Sequence, residues 1–127
     1  MTPTDRTSAD FDALPHSQQL KVLASLSMLA LDAYDVPADC TSELINLSEN
    51  ATYRIDHPPS RRRWALRIHR LGYHTDVAIR SELAWLTELR RSGVAVTPQP
   101  VPGRDGDILQ TATHPAMQQP RNVVLFE

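Results

Sequence analysis

Apolar residues recur every three or four positions in two segments of the chain, a spacing typical of helices that bury one face. The first segment predicts a helix over residues 18–33 with Ser17 as its N-cap. The second predicts a helix over residues 76–91 that ends at Gly93. The apolar positions are Leu20, Leu23, Leu26, Ala30 and Tyr34 in the first segment and Ile79, Leu83, Leu86 and Leu89 in the second.

Apolar and polar residues alternate in the segment between these helices, which is the pattern of half-buried β-strands. Alternation at residues 51–55 and 64–68 predicts two strands, and the apolar segment 44–47 predicts a third before them. Short turns separate the three, so they are expected to form an antiparallel meander. Residues 108–113 and 122–126 predict two more strands after the second helix. The expected fold class is therefore α+β, a five-stranded antiparallel sheet with two main helices.

The chain has 127 residues, of which 41% are hydrophobic and 22% charged, as in ordinary globular domains. We expect a flexible N-terminal segment over residues 1–16 and one folded unit over residues 17–127. The polar N-terminus is unlike a secretory signal, and no apolar run approaches the ~20 residues that span a bilayer. A single cysteine, Cys40, excludes an internal disulfide. These features favour a cytoplasmic protein with no membrane partner.

The formal net charge of −2 argues against a dedicated nucleic-acid binder. The run Arg61-Arg62-Arg63 before Trp64 leaves a basic patch with a stacking aromatic as an alternative. Three arginines at the tip of a predicted hairpin more often form a solvated turn. We therefore expect no nucleic-acid partner.

Candidate chemistry begins with Ala65 and Arg67, which lie two positions apart in a predicted strand and so share one face. A small residue lets a flat ring approach the sheet, and an arginine beyond it can bind a phosphate. Glu82 lies in the next predicted helix, where kinase-like nucleotide sites place a glutamate that holds the strand cation. The alternatives are an ordinary outward-facing arginine and a surface glutamate paired with Arg80.

The turn between the first two predicted strands contains Ser48, Glu49, Asn50, Ala51 and Thr52. Short polar side chains and backbone N–H groups in such a turn can bind an anion. No glycine is present, so this is not the G-x-G-x-x-G loop of protein kinases. An ordinary hairpin turn is the alternative interpretation.

Taken in order, these segments resemble the N-terminal lobe of the aminoglycoside phosphotransferase and choline kinase-like family. The resemblance lies in residues 47–55, 64–70, 80–86, 93–98 and 123–127. It implies a protein kinase-like N-lobe that binds ATP and ends at the hinge between two lobes. The family phosphorylates hydroxyl groups of small molecules, including aminoglycosides, choline and homoserine.

The resemblance also implies roles for individual residues. The turn would lie over the ATP phosphates, Arg67 would be the phosphate-binding cation and Glu82 its partner. Ala65 would lie against adenine, and the last two residues would enter the adenine-binding hinge. The implied nucleotide-binding residues are Ser48, Glu49, Asn50, Ala51, Thr52, Ala65, Arg67, Glu82, Phe126 and Glu127.

The chain departs from the family in lacking the H-x-D-x-x-x-x-N catalytic loop and the later metal-binding aspartate. His74-Thr75-Asp76 fits H-x-D, but residue 81 is a serine where the loop requires asparagine. We therefore expect no catalytic or metal-binding residue in this chain, and Mg²⁺ only together with a C-terminal lobe. The chain would be inactive alone, or completed by a separate lobe or a second copy of itself. A non-catalytic interaction or oligomerisation module is the alternative.

Overall fold

A computed structural model describes residues 11–48, 50–70, 75–93, 98–117 and 119–127 of the chain. Its helices are α1 (His16–Ala30), a short 3-10 helix (Leu31–Ala33) and α2 (Asp76–Ser92). Its strands are β1 (Thr41–Leu47), β2 (Asn50–His57), β3 (Arg62–His69), β4 (Gln110–Ala112) and β5 (Arg121–Phe126). The predicted α+β fold with a five-stranded antiparallel sheet is confirmed.

The strands lie in the order β1-β2-β3-β5-β4, and each neighbouring pair is antiparallel. The predicted meander is formed by β1, β2 and β3, and β5 then inserts between β3 and β4. In this register Ala65 lies opposite Phe126, and Arg67 lies opposite Val124. The centre of β3 is thus flanked by a strand on each side, which fixes the direction of its side chains.

The face of the sheet that packs on α1, here called the α1 face, carries the main hydrophobic core. Alternate residues of three strands point into it: Ala51, Tyr53, Ile55, Trp64, Leu66, Ile68, Val123 and Leu125. Leu23, Leu26 and Ala30 of α1 complete it. The apolar residues that recur every two positions in the strands and every three or four in the helix therefore pack together in one core.

The opposite face, here called the α2 face, carries a smaller core. Val124 and Phe126 of β5 pack there with Ile79 and Leu83 of α2, and Ala65 of β3 contacts the same cluster. Helix α2 therefore lies over β3 and β5. The β3 residues that alternate with those in the main core point toward α2.

Both ends of α2 follow the prediction. The Thr75 hydroxyl accepts a hydrogen bond from the Ala78 N–H at 3.1 Å, which satisfies one of the free donors of the first turn. Gly93 ends the helix with φ at 76°, a left-handed conformation that glycine adopts without steric cost.

The start of α1 differs from the prediction. The helix begins at His16, and Pro15 occupies the N-cap position without a side-chain hydrogen bond. The prediction that Ser17 is the N-cap is wrong, because Ser17 lies inside the first turn. Phe11 is buried in the main core, so packed structure is present before residue 17. The division of the chain at residue 16 stays a prediction.

Some predictions fall outside the described residues. These concern Glu49 of the turn, His74 of the H-x-D sequence and residues 94–97 of the segment 93–98 that carries part of the family resemblance. Within the described ranges, no helix is long and apolar enough to cross a bilayer.

Candidate functional site

Arg67 and Glu82 form the ion pair that the sequence predicts. Nη1 of Arg67 donates to Oε2 of Glu82 at 3.0 Å. The arginine side chain is 25% exposed and the glutamate side chain 47% exposed, so the pair lies at the edge of the α2 face. A partly exposed pair adds about 1 kcal/mol or less to stability. Its main consequence is that the guanidinium is held in one position.

A second contact fixes the same guanidinium. Its central carbon lies 5.0 Å from the centroid of the Phe126 ring, a distance at which a cation is attracted to an aromatic face. Arginine has five N–H donors, and in the described part of the chain the hydrogen bond to Glu82 uses one nitrogen. The other donors are available for an anion beside the pair.

Ala65 lies on the same face as Arg67, two residues before it in β3, and its small side chain leaves space above the strand. Phe126 lies directly opposite it on β5 and Arg54 directly opposite it on β2. The small side chain is half-buried between these larger neighbours. A planar group can approach the strand at this position with an aromatic ring on one side and a guanidinium on the other.

Arg54 belongs to a charged network that the sequence reasoning missed. It binds Glu43 through Nη2 at 3.0 Å and Asp56 through Nε at 2.8 Å. Arg63 also donates to Asp56, at 2.6 Å, and this hydrogen bond is the main reason that the pKa of Asp56 is lowered. The available signal was that Arg54 and Asp56 lie two positions apart, so they share a face.

The turn before β2 divides its residues between the two faces. Thr52 lies directly opposite Arg67 and therefore shares the α2 face with it. Ala51 is buried in the main core on the α1 face, so its side chain points away from Arg67. Any contact of Ala51 with a ligand on the α2 face would use its backbone.

Ser48 and Asn50 close the turn. The Ser48 N–H donates to the Asn50 carbonyl at 3.0 Å, and Arg70 donates to the Ser48 carbonyl at 3.0 Å. The Ser48 side chain is exposed, whereas the Asn50 side-chain oxygen is buried. The polar groups predicted for this turn are therefore divided between solvent and interior.

Phe126 and Glu127 also separate. Phe126 joins Ala65 and Arg67 on the α2 face, whereas the carboxylate of Glu127 binds Arg62 at 2.7 Å. The Glu127 N–H donates to the Gln99 carbonyl at 2.9 Å. In a hydrogen bond between the Glu127 backbone and a nucleobase, the Glu127 carbonyl oxygen would therefore have to accept.

The three-arginine run is partly paired within the fold. Arg62 lies over the Trp64 ring at 4.6 Å and binds Glu127, and Arg63 binds Asp56. Trp64 is 2% exposed, so its ring is not accessible for stacking on a base.

The arrangement on the α2 face can bind and orient an anionic ligand. Across the described ranges, no cluster of histidine, cysteine, aspartate or glutamate could hold a metal ion. Asp76 of the H-x-D sequence is the first residue of α2 and accepts a hydrogen bond from Asn122 at 2.8 Å. It is therefore part of how α2 is docked.

Comparison with known proteins identifies the family of this chain. A model of the phosphotransferase enzyme family matches residues 42–117, which include Arg67 and Glu82. The solved structure of the microcompartment-associated aminopropanol kinase is similar with a TM-score of 0.70 and 42% sequence identity. The match covers 81% of this chain and 30% of that kinase, so this chain spans about a third of its length. No curated protein sequence matches. This chain belongs to the phosphotransferase enzyme family.

Proposed function

We propose that this chain is the ATP-binding lobe of a small-molecule O-phosphotransferase. The observation that carries the proposal is the 3.0 Å contact between Arg67 and Glu82 on the face that also bears Ala65. In this proposal the ATP phosphates bind Arg67 and the turn of residues 48–52. The adenine lies over Ala65 near Phe126, and the base reaches the backbone at Glu127.

The electrostatics of Arg67 support this assignment. Phosphoryl transfer depends largely on positioning the phosphates and stabilising their charge. A guanidinium keeps its charge and can bind two phosphate oxygens at once. Glu82 and the Phe126 ring hold this group before a ligand arrives, so little side-chain entropy is lost on binding.

The phosphate acceptor is proposed to be the hydroxyl of a small molecule, with aminopropanol as the first candidate. The 42% identity to an aminopropanol kinase supports this acceptor over aminoglycosides, choline and homoserine. The catalytic base and the Mg²⁺ ligands are proposed to belong to a C-terminal lobe, because the sequence of this chain contains no H-x-D-x-x-x-x-N loop. The chain alone would bind ATP without transferring its phosphate.

The proposal is tested by titrating the chain with ATP and measuring the dissociation constant by calorimetry or NMR. A charge-assisted contact contributes about 1.5–3 kcal/mol, so Arg67→Ala is expected to weaken ATP binding about 10- to 100-fold. Glu82→Ala should weaken it less, because the cation remains but is no longer held. Arg91→Ala, an exposed arginine at the end of α2, is the matched control and should change nothing.

The role assigned to this pair is wrong if both Arg67→Ala and Glu82→Ala bind ATP as tightly as the unaltered chain. Folding of each variant is checked by its far-UV circular dichroism. This excludes a loss of binding that comes from loss of structure.

A second candidate function is a protein-interaction module, and the exposed tryptophan of α2 favours it. Trp85 is 62% exposed, and large exposed aromatics are enriched at interfaces. Sedimentation at micromolar concentration should then show a concentration-dependent dimer that Trp85→Ser abolishes. A monomer at every concentration would argue against self-association.

A further inference from the structure

A cavity lies on the α1 face, on the side of the sheet opposite Arg67. Its volume is about 340 Å³, within the range of small-ligand sites. It is enclosed by the start of α1, the turn between β1 and β2, and the ends of β3 and β5. Arg67 lies across the sheet from this cavity, whereas Ser48, Asn50 and Ala51 belong both to the cavity wall and to the turn of the proposed nucleotide site.

Arg121, the first residue of β5, lines this cavity and is 8% exposed. Its Nε is buried without a hydrogen-bond partner in the part of the chain that the structure describes. The guanidinium lies 5.2 Å from the centroid of the Phe11 ring. Burial lowers the pKa of Arg121, and the negative charge of Asp12 partly opposes this shift. Among the described residues, no ion pair is formed between Arg121 and Asp12.

An unpaired cation in the interior is costly, because it loses its hydration without gaining an opposite charge. A second guanidinium, that of Arg70, lines the same cavity. Repulsion from its positive charge also lowers the pKa of Arg121. A negatively charged group in the cavity would give Arg121 the opposite charge and the hydrogen-bond acceptor that it lacks among the described residues.

The rest of the wall is mixed, with the polar residues His16, Gln19, Ser48 and Asn50 beside a hydrophobic part. Its hydrophobic residues are Phe11, Leu20, Leu23, Leu47, Ala51 and Ile68. Cavities of this kind favour ligands with a charged group at one point and a hydrocarbon body elsewhere. A fully hydrated inorganic ion would leave most of this wall without a contact.

We propose that this cavity is a binding site for a small organic anion, a carboxylate or phosphate with a short apolar body, whose charged group pairs with Arg121. Arg70 lines the same cavity and holds the Ser48 carbonyl. Because that bond belongs to the turn before β2, occupation of the cavity would stabilise the turn from the side opposite Arg67.

The test is an NMR titration of the ¹⁵N-labelled chain with three probes: hexanoate, inorganic phosphate and hexanol. The proposal predicts saturable shifts at cavity residues with hexanoate, and none with hexanol at the same concentration. Shifts with phosphate at the same amides would show that the charged group alone suffices, which also supports an anion site. Absence of shifts with both anions, or equal shifts with hexanol, would overturn the proposal.

Variants locate the charge. Arg121→Gln should weaken hexanoate binding at least tenfold, whereas Arg61→Gln, the same change at an exposed turn residue, should leave it unaltered. Equal binding by Arg121→Gln and the unaltered chain would refute the assignment. If Arg121→Gln does not fold, Leu20→Trp takes its place, because it fills the cavity and keeps the cation. Undiminished hexanoate binding by Leu20→Trp would then refute the site.

Discussion

At the scale of single residues, the position of the Arg67 guanidinium is set by two unlike contacts. Glu82 binds it from α2 and the Phe126 ring supports it from β5. Both contacts exploit the planar, delocalised shape of the group, which can donate at its edge while its face lies on a ring. A compact ammonium group has neither property, so lysine is not equivalent here.

The variant Arg67→Lys tests this directly. It keeps the positive charge but loses the planar group that can bind two phosphate oxygens at once and lie on the Phe126 ring. We expect Arg67→Lys to bind ATP about fivefold more weakly than the unaltered chain, a loss of ~1 kcal/mol. It should still bind ATP more tightly than Arg67→Ala does. Arg91→Lys on α2 is the control for the same exchange at an exposed site. ATP binding by Arg67→Lys as tight as that by the unaltered chain would contradict the importance given to the shape of the guanidinium.

The candidate site shows which residue-level features the sequence could predict. The strand period predicted that Ala65 and Arg67 share a face, whereas the position of Thr52 opposite Arg67 depends on the register of β2 on β3. The same period shows why Ala51 belongs with Tyr53 and Ile55 in the core. The ion pair of Asp56 and Arg63 depends on the register of β2 on β3, which the sequence pattern does not specify.

At the scale of elements, α2 is docked by polar contacts near its first turn as well as by its apolar stripe. Both terminal nitrogens of Arg80 donate to the carboxylate of Asp107, at 2.9 and 2.8 Å. Asn122 of β5 donates to Asp76 at the helix start. These contacts join α2 to the segment before β4 and to β5, and so help to set where Glu82 meets Arg67.

The Arg80 contact predicts a dependence of stability on pH. Hydrogen bonds from Arg80, and then from the Leu109 N–H, lower the pKa of Asp107 to about 2, against ~3.9 for an ordinary aspartate. A lowered pKa stabilises the fold above the ordinary value, and this contribution is lost as the pH falls from about 4 to about 2. Urea unfolding should therefore find Asp107→Asn less stable than the unaltered chain at pH 7, with the difference disappearing near pH 2.

The matched control is Asp35→Asn, at a side chain that is 96% exposed. It carries the same change in charge without the two-pronged contact, so its effect at pH 7 should be smaller. A difference between Asp107→Asn and the unaltered chain that stays constant from pH 7 to pH 2 would contradict the role given to this contact.

At the scale of the whole molecule, the sheet separates two layers with different tasks. The α1 face carries the main core, and the α2 face carries the smaller core together with Arg67 and Ala65. The larger core thus lies on the α1 face, and the proposed nucleotide site lies on the α2 face. Substitutions on the α2 face at partly exposed positions are expected to alter binding more than folding.

Two leucines on α1 test where the stability lies. Leu26 is fully buried and Leu29 is 45% exposed, so the same truncation is made on the same helix in two environments. Leu26→Ala should lower the free energy of unfolding by about 2–5 kcal/mol, and Leu29→Ala by about 1 kcal/mol or less. Equal losses in urea unfolding would contradict the assignment of the main core to the α1 face.

The architecture was predictable from the sequence up to the point where distant segments meet. Helix α2, its end at Gly93 and the meander of β1 to β3 follow from local pattern and turn chemistry. The insertion of β5 between β3 and β4 does not, because pairing partners far apart in the chain leave no local signal. That insertion brings Phe126 beside Ala65 and under Arg67.

The most direct test of the account is to locate ATP on the chain by NMR, since it asks which face of the sheet the nucleotide uses. The account predicts that ATP shifts the amides of Thr52, Ala65, Arg67 and Phe126 and leaves those of α1 from Leu23 to Ala30 unchanged. Shifts confined to α1, or no shifts at millimolar ATP, would contradict it.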